Sequence, residues 1–518
     1  MMSNLGLLLR TLYHLRGRQL MYQFVRRFKR IPYVEATTSL SSASLNMVLP
    51  VAKATCLSND KFSFINISSS FGGWNDQTKG MLWAYNLNYM DWLGQSGLSL
   101  EKKCEWIDRF IIDLKENHIG RDPYPTALRT VNWVKFFSLH PEIRTSQREN
   151  ALYSQLLMLN SNLEYHLLGN HLLEDAYALF IGSLYFVDKK LYDKASSLLY
   201  QELNEQVLAD GAHYEQSPMY HCILLDRLLD AYNVSVGNIR FDHQQEITSF
   251  LQKKAELMLG HLEEIIYSDG NIPLFNDSAF GIAPSPLELF NYAKRLKLSW
   301  TALPLGECGY RKMKNNIMEA LIDVGNITAS YQCGHSHADT FNYELRLKGN
   351  PYIIDTGIST YNKDESRLYE RSTFAHNTVT IDNCNSSEVW SGFRMGKRAT
   401  VNILKNEHNH IVAVHDGFGK KKFHKRSFII NENSFEIKDE ILEGCMGISR
   451  IHLSEHETIV CITGNIIETS NGIIDIIEGA SDIKVTLAKA STAYSQLKVI
   501  TKIELYFKNS LTYLIQSK

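Results

Sequence analysis

The feature that most constrains the fold of this chain is a change in hydrophobic periodicity near residue 305. Before that point, six segments carry apolar residues at i, i+3, i+4 and i+7, the spacing of one buried helix face. Short polar or glycine-containing connectors separate them, which predicts helical hairpins packed as a bundle, a solenoid or a toroid. The six predicted helices are Glu101–Asn117, Gln147–Leu168, Leu172–Val187, Lys194–Ala209, Tyr220–Asn233 and Gln245–Ile266.

After residue 305 the chain consists of short β-branched segments, many of them alternating, separated by Asn, Gly and Asp. This texture predicts an antiparallel sandwich or stacked sheets. A large α domain is therefore expected to precede a β domain, with a ligand site in the cleft between them. The nine predicted strands are Thr328–Gln332, Thr340–Lys348, Pro351–Asp355, Thr378–Asp382, His410–His415, Ser434–Ile441, Thr458–Ile462, Ile473–Ile477 and Ile503–Phe507.

Composition excludes several functional classes. Hydrophobic residues make up 44% of the 518-residue chain and charged residues 21%, as in soluble globular proteins rather than disordered or polytopic membrane proteins. The formal net charge of −2 gives no reason to expect a nucleic-acid partner. The eight cysteines form no CxxC pair, so we expect reduced thiols rather than a disulfide framework.

The N-terminal segment, residues 1–35, is basic. Its arginines and lysine interrupt every apolar run, so it lacks the continuous apolar core of a secretory signal. It is typical of an amphipathic helix that rests on an anionic membrane, or that packs on its own domain through a Leu/Tyr/Phe stripe. These features favour the cytoplasm or a membrane surface and leave the periplasm open. The seven basic residues are Arg10, Arg16, Arg18, Arg26, Arg27, Lys29 and Arg30.

Two clusters of polar residues interrupt the helical half. The first includes Asn170, His171 and Glu174, where Asn170 is a candidate helix N-cap. The second runs from residue 210 to residue 221 and combines an Asp-Gly turn with a dense set of His, Tyr and Glu. Within it, Ser217 and Pro218 predict the cap and first residue of the next helix.

A third cluster lies in the β half. His335 and His337 form an HxH pair before a predicted strand, Asp355 follows eighteen residues after His337, and His376 comes later. An HxH pair alone is weak evidence, because residues i and i+2 simply share a strand face. Two imidazoles and a carboxylate from neighbouring strands nevertheless suit a Zn²⁺ site.

These clusters, in this order, resemble the signature segments of the heparinase II/III family of polysaccharide lyases. The resemblance covers residues 80–400 and includes Trp83–Leu87 and Pro125–Trp133. It implies an α+β multidomain fold. An incomplete (α/α) toroid of helical hairpins over residues 36–305 would precede an antiparallel β-sandwich or stacked-sheet domain over residues 306–518.

The resemblance also implies a β-elimination that cleaves an acidic polysaccharide at a uronic acid. Asn170 and His171 would bind the sugar carboxylate, with Glu174 holding the histidine. Tyr220 would act as both base and acid, or as the acid alone with His335 as the base. The base role requires a cationic surrounding, since an ordinary tyrosine has a pKa near 10.

The remaining site residues that the resemblance suggests concern substrate and metal. Arg129 and Arg371 are candidates for binding the acidic groups of the substrate and for stabilising a phenolate. Tyr361 and Tyr369 are candidates for lining the cleft. In relatives that carry zinc, the metal positions match His337, Asp355 and His376. A structural Zn²⁺ there would fix the loop that bears His335.

The expected partner is an acidic polysaccharide or oligosaccharide, and a bacterial capsule or exopolysaccharide is one source. A homodimer and a peripheral membrane contact are further expectations. Two alternatives stay open: a non-catalytic glycan-binding or biosynthesis-accessory protein, and a glycoside hydrolase. The hydrolase would need two carboxylates, for which Glu174 and Glu215 are the candidates.

Overall fold

The computed structural model describes residues 2–28, 33–38, 42–54, 56–419 and 421–518. Lys29 and Arg30 of the basic N-terminal segment lie outside these residues. The helices are α1 Met2–Tyr13, α2 Gly17–Phe28, α3 Met81–Tyr89, α4 Leu100–Asp113, α5 Pro123–Leu139, α6 Ser146–Ser161, α7 Gly169–Phe186, α8 Lys189–Gln206, α9 Pro218–Gly237, α10 Gln244–Ile265, α11 Pro286–Arg295 and α12 Glu365–Glu370.

The strands follow mainly after the helices, as the change in periodicity predicts. They are β1 Leu57–Ser58, β2 Lys61–Phe64, β3 Ile67–Ser70, β4 Tyr310–Lys314, β5 Met318–Asp323, β6 Tyr343–Leu347, β7 Asn350–Ile353, β8 Val379–Ile381, β9 Val389–Trp390, β10 Arg394–Met395, β11 Val401–Glu407, β12 His410–His415, β13 His424–Ile430, β14 Ser434–Ile441, β15 Gly447–His452, β16 Ile459–Thr463, β17 Ile466–Thr469, β18 Gly472–Ala493 and β19 Gln496–Ser517.

Helix α7 lies at the centre of the helical toroid and packs against α5, α6, α8 and α9. Seventeen of its eighteen residues are buried, His171 being the exception. A helix that is apolar on every side belongs inside a domain rather than on its surface. The small sheet β1–β2–β3 was not predicted, although Phe62 and Phe64 alternate with polar residues and both are buried.

The β domain stacks a four-stranded sheet, β4–β5–β6–β7, against a ten-stranded sheet, and both are antiparallel. Their shared core includes Tyr343, whose ring centroid lies 5.8 Å from that of Phe435. The predicted fold class is confirmed. One predicted strand, Thr328–Gln332, is wrong: this segment consists of turns and bends, and its Tyr331 hydroxyl bonds to Tyr214 of the toroid.

Among the described residues, no helix is both long enough and apolar enough to span a bilayer.

Candidate active site

A cleft of about 1270 Å³ separates the toroid from the β domain. The four residues suggested for catalysis, Asn170, His171, Tyr220 and His335, all line it. They come from the first turns of α7 and α9 and from the loop before β6. Tyr361, suggested for substrate binding, lines the same cleft.

The start of α9 places Tyr220, as the Ser-Pro pattern predicts. The Ser217 hydroxyl accepts a hydrogen bond from the Tyr220 amide at 3.2 Å, and Pro218 is the first helical residue. The same hydroxyl donates to the backbone carbonyl of Asp277 at 2.6 Å. This cap therefore ties the first turn of α9 to the loop that carries Asp277.

Tyr220 and His335 lie face to face in the cleft, with ring centroids 4.0 Å apart. The Tyr361 hydroxyl donates a hydrogen bond to the Tyr220 hydroxyl at 3.3 Å. Burial raises the pKa of Tyr220 well above its ordinary value. The phenol is therefore protonated at neutral pH and suited to donate a proton.

Asp277 orients His335. Its Oδ2 lies 2.7 Å from His335 Nδ1, and its Oδ1 lies 2.8 Å from His337 Nε2. Burial would raise the pKa of Asp277, but the Arg367 guanidinium and the two histidines hold it well below the usual range. Because an ionised carboxylate only accepts hydrogen bonds, His335 must carry its proton on Nδ1. Its Nε2 points to the other side of the ring, 3.6 Å from a Glu215 carboxylate oxygen.

At the start of α7, Asn170 is held by Glu215 rather than acting as a helix cap. Its Nδ2 donates to the Glu215 carboxylate at 3.0 Å, and the N-cap position belongs to Leu168. Gly169 has φ +59°, and a Cβ there would approach Glu215 and Tyr214 to 3.0 Å. Only glycine therefore allows this close approach of α7 to the 214–215 segment.

His171 is held by Glu164, not by Glu174 as expected. Its Nδ1 lies 2.9 Å from Glu164 Oε2. Burial would lower the pKa of His171, but the Glu164 carboxylate outweighs burial and raises it. Glu174 instead accepts a hydrogen bond from Arg227 at 3.2 Å. One turn separates residues 170 and 174, but α7 directs the Glu174 side chain towards Arg227 on α9 rather than towards His171.

Three of the suggested substrate-binding residues do not line the cleft. Arg129 is fully buried and donates to the carbonyls of Asn88 and Gly120, so it braces the helices. Arg371 is also buried, and it donates to the Ser336 carbonyl at 2.9 Å, which steadies the loop that bears His335. The Tyr369 hydroxyl donates to the Phe374 carbonyl at 3.5 Å.

The suggested zinc positions offer two free imidazole nitrogens. His337 Nδ1 and His376 Nε2 are buried without a hydrogen-bond partner, and the two ring centroids lie 5.2 Å apart. Asp355 contacts His376 Nδ1 at 2.7 Å and also accepts from Asn342. The histidines therefore fit a cation, whereas Asp355 orients one of them rather than presenting a free oxygen.

In the described part of the chain, one group of three metal-ligating side chains has donor atoms within 4.8 Å of one another, and it is a different group. It consists of Asp210, His261 and Cys308, all buried. Asp210 Oδ2 accepts hydrogen bonds from the amides of Gly306 and Cys308. These bonds fasten residues 306–308 to the toroid, which gives the Asp210 carboxylate a structural role.

Four buried residues that organise the cleft were not predicted in these roles from the sequence: Glu164, Glu215, Asp277 and Arg367. Arg367 donates to both carboxylate oxygens of Asp277, one at 2.7 Å. Asp277 lies in a segment without regular structure, 58 residues before His335, so no periodicity marks it. Glu215 was noticed only as a hydrolase candidate, although its position in the dense 210–221 cluster was a usable signal.

Fold and site together define a two-domain toroid-and-sheet protein with a phenol, imidazoles and an amide in the cleft between its domains. Two family models match it: heparinase II/III N-terminus over residues 148–295 and heparinase II/III-like, C-terminal over residues 299–508. The chain belongs to the heparinase II/III family.

A heparin-sulfate lyase of Pedobacter heparinus is 28% identical over 413 residues, which is 73% of this chain and 58% of that protein. The chain spans between 46% and 58% of the length of the curated relatives it matches. A heparinase III crystal structure shares the fold, with a TM-score of 0.67 at 16% identity over 97% of this chain and 91% of that one. A second heparinase III structure gives 0.63 at 18% identity, over 86% and 80% of the two chains.

Proposed function

We propose that this protein cleaves an acidic polysaccharide by β-elimination at a uronic acid. The observation that carries the proposal is that a histidine with a raised pKa, a protonated phenol and an imidazole oriented by Asp277 line one cleft. Elimination needs these three chemical elements: a group that neutralises the carboxylate, a base for the C5 proton and an acid for the leaving oxygen.

Carboxylate neutralisation is the task of His171 and Asn170 in this proposal. The C5 proton is very weakly acidic while the neighbouring carboxylate is ionised, so a cation and an amide donor are needed where charge develops. Glu164 raises the pKa of His171, which favours the imidazolium. Glu215 fixes the Asn170 amide at the same mouth of α7.

Proton transfer is divided between His335 and Tyr220. Asp277 holds the proton of His335 on Nδ1, which leaves Nε2 to take the C5 proton. Tyr220 keeps its proton because burial raises its pKa, so it is suited to protonate the leaving oxygen. For the opposite C5 epimer, Tyr220 would have to act as the base, which the pKa of Tyr220, raised by burial, disfavours.

The proposed substrate is an acidic polymer that carries carboxylates. Curated relatives are named heparin-sulfate lyases, which supports a glycosaminoglycan-like polymer. Cations also line the cleft and suit an anionic polymer. Lys53, Lys135 and Arg227 are paired with acids, whereas Lys79 and Arg394 are exposed and form no salt bridge with a described residue. A bacterial capsule or exopolysaccharide is one source of such a polymer.

We also propose a zinc ion held by His337 and His376. Bound there, zinc would supply a structural crosslink rather than a Lewis acid for the substrate. Two observations support this site. His337 Nδ1 and His376 Nε2 have no hydrogen-bond partner, and the Asp277 carboxylate bonds both His337 and His335. The chain's own residues thus connect the metal position to the proposed base.

The hydrolase alternative is less well supported, because Glu174 is paired with Arg227 and Glu215 with Asn170. The binding-protein alternative is tested by Tyr220→Phe, which removes only the hydroxyl. For a lyase we expect kcat to fall by about 10²–10⁴-fold, while the Kd for a substrate oligosaccharide changes less than about threefold. The readouts are ultraviolet absorbance of the unsaturated uronate and calorimetric binding.

Tyr369→Phe is the matched control, because it removes the same atom from a tyrosine outside the cleft, and its turnover should equal that of the wild type. Turnover that survives Tyr220→Phe would overturn the acid role. Reducing ends that appear without ultraviolet absorbance would indicate a hydrolase, and binding without any product would indicate a non-catalytic glycan-binding protein.

A further inference from the structure

Polar side chains attach both N-terminal helices to the protein, and on α1 the half-buried Leu7, Leu8 and Leu12 add apolar contact. On α1, Arg10 forms a salt bridge with Glu388 of the β domain at 2.7 Å. On α2, Gln19 is buried and donates to the Leu167 carbonyl at 3.0 Å. Gln23, one turn further along α2, lines the cleft. The polar side of α2 therefore faces the protein.

The opposite faces of both helices expose apolar side chains. Leu5, Leu9 and Tyr13 follow one another at intervals of four residues on α1, and Phe24 and Phe28 do so on α2. On α2 this arrangement inverts the usual pattern, in which a surface helix turns its apolar stripe towards the core. The Phe24 and Phe28 ring centroids lie 5.1 Å apart, and exposed apolar patches of this kind mark interaction sites. The exposed fractions are Leu5 59%, Leu9 59%, Tyr13 86%, Leu20 41%, Met21 54%, Phe24 64%, Val25 40% and Phe28 73%.

The charge on these helices is entirely positive. Neither α1 nor α2 contains an acidic residue. Arg10 and Arg16 are paired with carboxylates elsewhere in the chain. Arg18, Arg26 and Arg27 are exposed and form no salt bridge with any described residue. Arg18 lies over the Tyr165 ring and Arg26 contacts His166, so Arg27 is the arginine most available to a partner. Positive charge therefore borders the exposed apolar side chains.

We propose that α1 and α2 dock on an anionic lipid bilayer, with the apolar face in the headgroup–acyl boundary and the arginines among the lipid phosphates. Interfacial helices combine an apolar face, basic residues and few acids in this way. A second copy of the chain fits less well. A twofold dimer through this face would bring its arginines together without a carboxylate from either helix to pair with them.

Docking by α2 would place the rim of the cleft at the membrane, because Gln23 belongs to α2 and also lines the cleft. Polysaccharide that is still attached to membrane lipid would then reach the cleft without diffusing through solution. This consequence depends on the proposed lyase function, whereas the docking itself depends only on the exposed face and its charge.

The test uses the full chain and vesicles of phosphatidylcholine alone or mixed with phosphatidylglycerol. We expect the wild type to sediment with the mixed vesicles and to be released by high salt, since the attraction to lipid phosphates is screened. The double variant F24S/F28S should bind at least about tenfold more weakly, because two exposed aromatic anchors are lost. R27E should also weaken binding.

The matched control is V460S/I462S on β16, which removes two apolar side chains that are 61% and 47% exposed, far along the chain from α1 and α2. Its vesicle binding should equal that of the wild type. Melting temperature and turnover on soluble polymer should be the same for all variants, so loss of vesicle binding with turnover intact separates docking from catalysis.

Three results would overturn the proposal. The first is absence of wild-type binding to the mixed vesicles. The second is equal binding by wild type, F24S/F28S and R27E. The third is a wild-type dimer in sedimentation velocity that is lost in F24S/F28S while vesicle binding remains. The exposed apolar face would then be an interface between two copies of the chain.

Discussion

Asp277→Asn tests the central feature of the proposed mechanism. The carboxylate of Asp277 accepts hydrogen bonds from His335, His337 and both Nη atoms of Arg367. Asparagine has the same volume but only one acceptor oxygen, and its amide nitrogen is a donor. It cannot satisfy all three partners.

The effect on turnover follows from the tautomer of His335. If the amide N–H of the substituted side chain faces Nδ1, the imidazole proton is forced onto Nε2, where it blocks the base. A wrong imidazole tautomer of this kind costs about 10⁴-fold in kcat in a serine protease triad. We therefore expect a loss of roughly 10³–10⁴-fold here, equivalent to about 4–5.5 kcal/mol of transition-state stabilisation.

The substitution also costs stability, because Arg367 is fully buried and loses its counter-ion. Breaking a buried ion pair in this way destabilises a protein by about 3–5 kcal/mol. Asp439→Asn is a matched control. Asp439 is equally buried and bonds a histidine and an arginine, His424 and Arg426, but lies outside the cleft. It should cost similar stability and leave the turnover of folded protein unchanged.

The assay is ultraviolet detection of the unsaturated uronate at a temperature where circular dichroism shows each variant folded. Chemical denaturation gives the free energy of unfolding. The double variant D277N/R367M should regain part of the lost stability and none of the lost turnover. The reasoning is refuted if folded D277N keeps turnover within about threefold of the wild type, or if D439N loses turnover equally.

Two other predictions concern pH and metal. In Glu164→Gln, the fall of kcat/KM at high pH should move to lower pH. The Glu164 carboxylate raises the pKa of His171 and so keeps the imidazolium present at higher pH, whereas a neutral amide would not raise that pKa. An unchanged pH profile would contradict this role of Glu164. Asp355→Ala should weaken zinc affinity by about 10–100-fold, because Asp355 orients His376. Metal analysis and zinc titration measure this effect, and a wild-type chain that takes up no zinc would argue against the site.

Local sequence patterns predicted much of the fold because helices and strands bury one face at a characteristic spacing. The six predicted helices correspond to α4 and α6–α10, although α6 ends at Ser161, before the turn that carries Glu164. Strands Ile473–Ile477 and Ile503–Phe507 are pieces of the 22-residue strands β18 and β19. Those strands extend further because each pairs with the other along its length, and pairing is not visible in either segment alone.

The sequence by itself determined the order of the two domains and the helix cap at Ser217 that places Tyr220, whereas the family resemblance suggested the site residues at the starts of α7 and α9. The domain order and the cap depend on neighbours within a few positions. Only the tertiary structure decided which acid serves which base. Glu164 rather than Glu174 holds His171, Asp277 holds His335, and Arg129 is buried among helices, because hydrogen bonds between buried side chains depend on distances that chain folding creates.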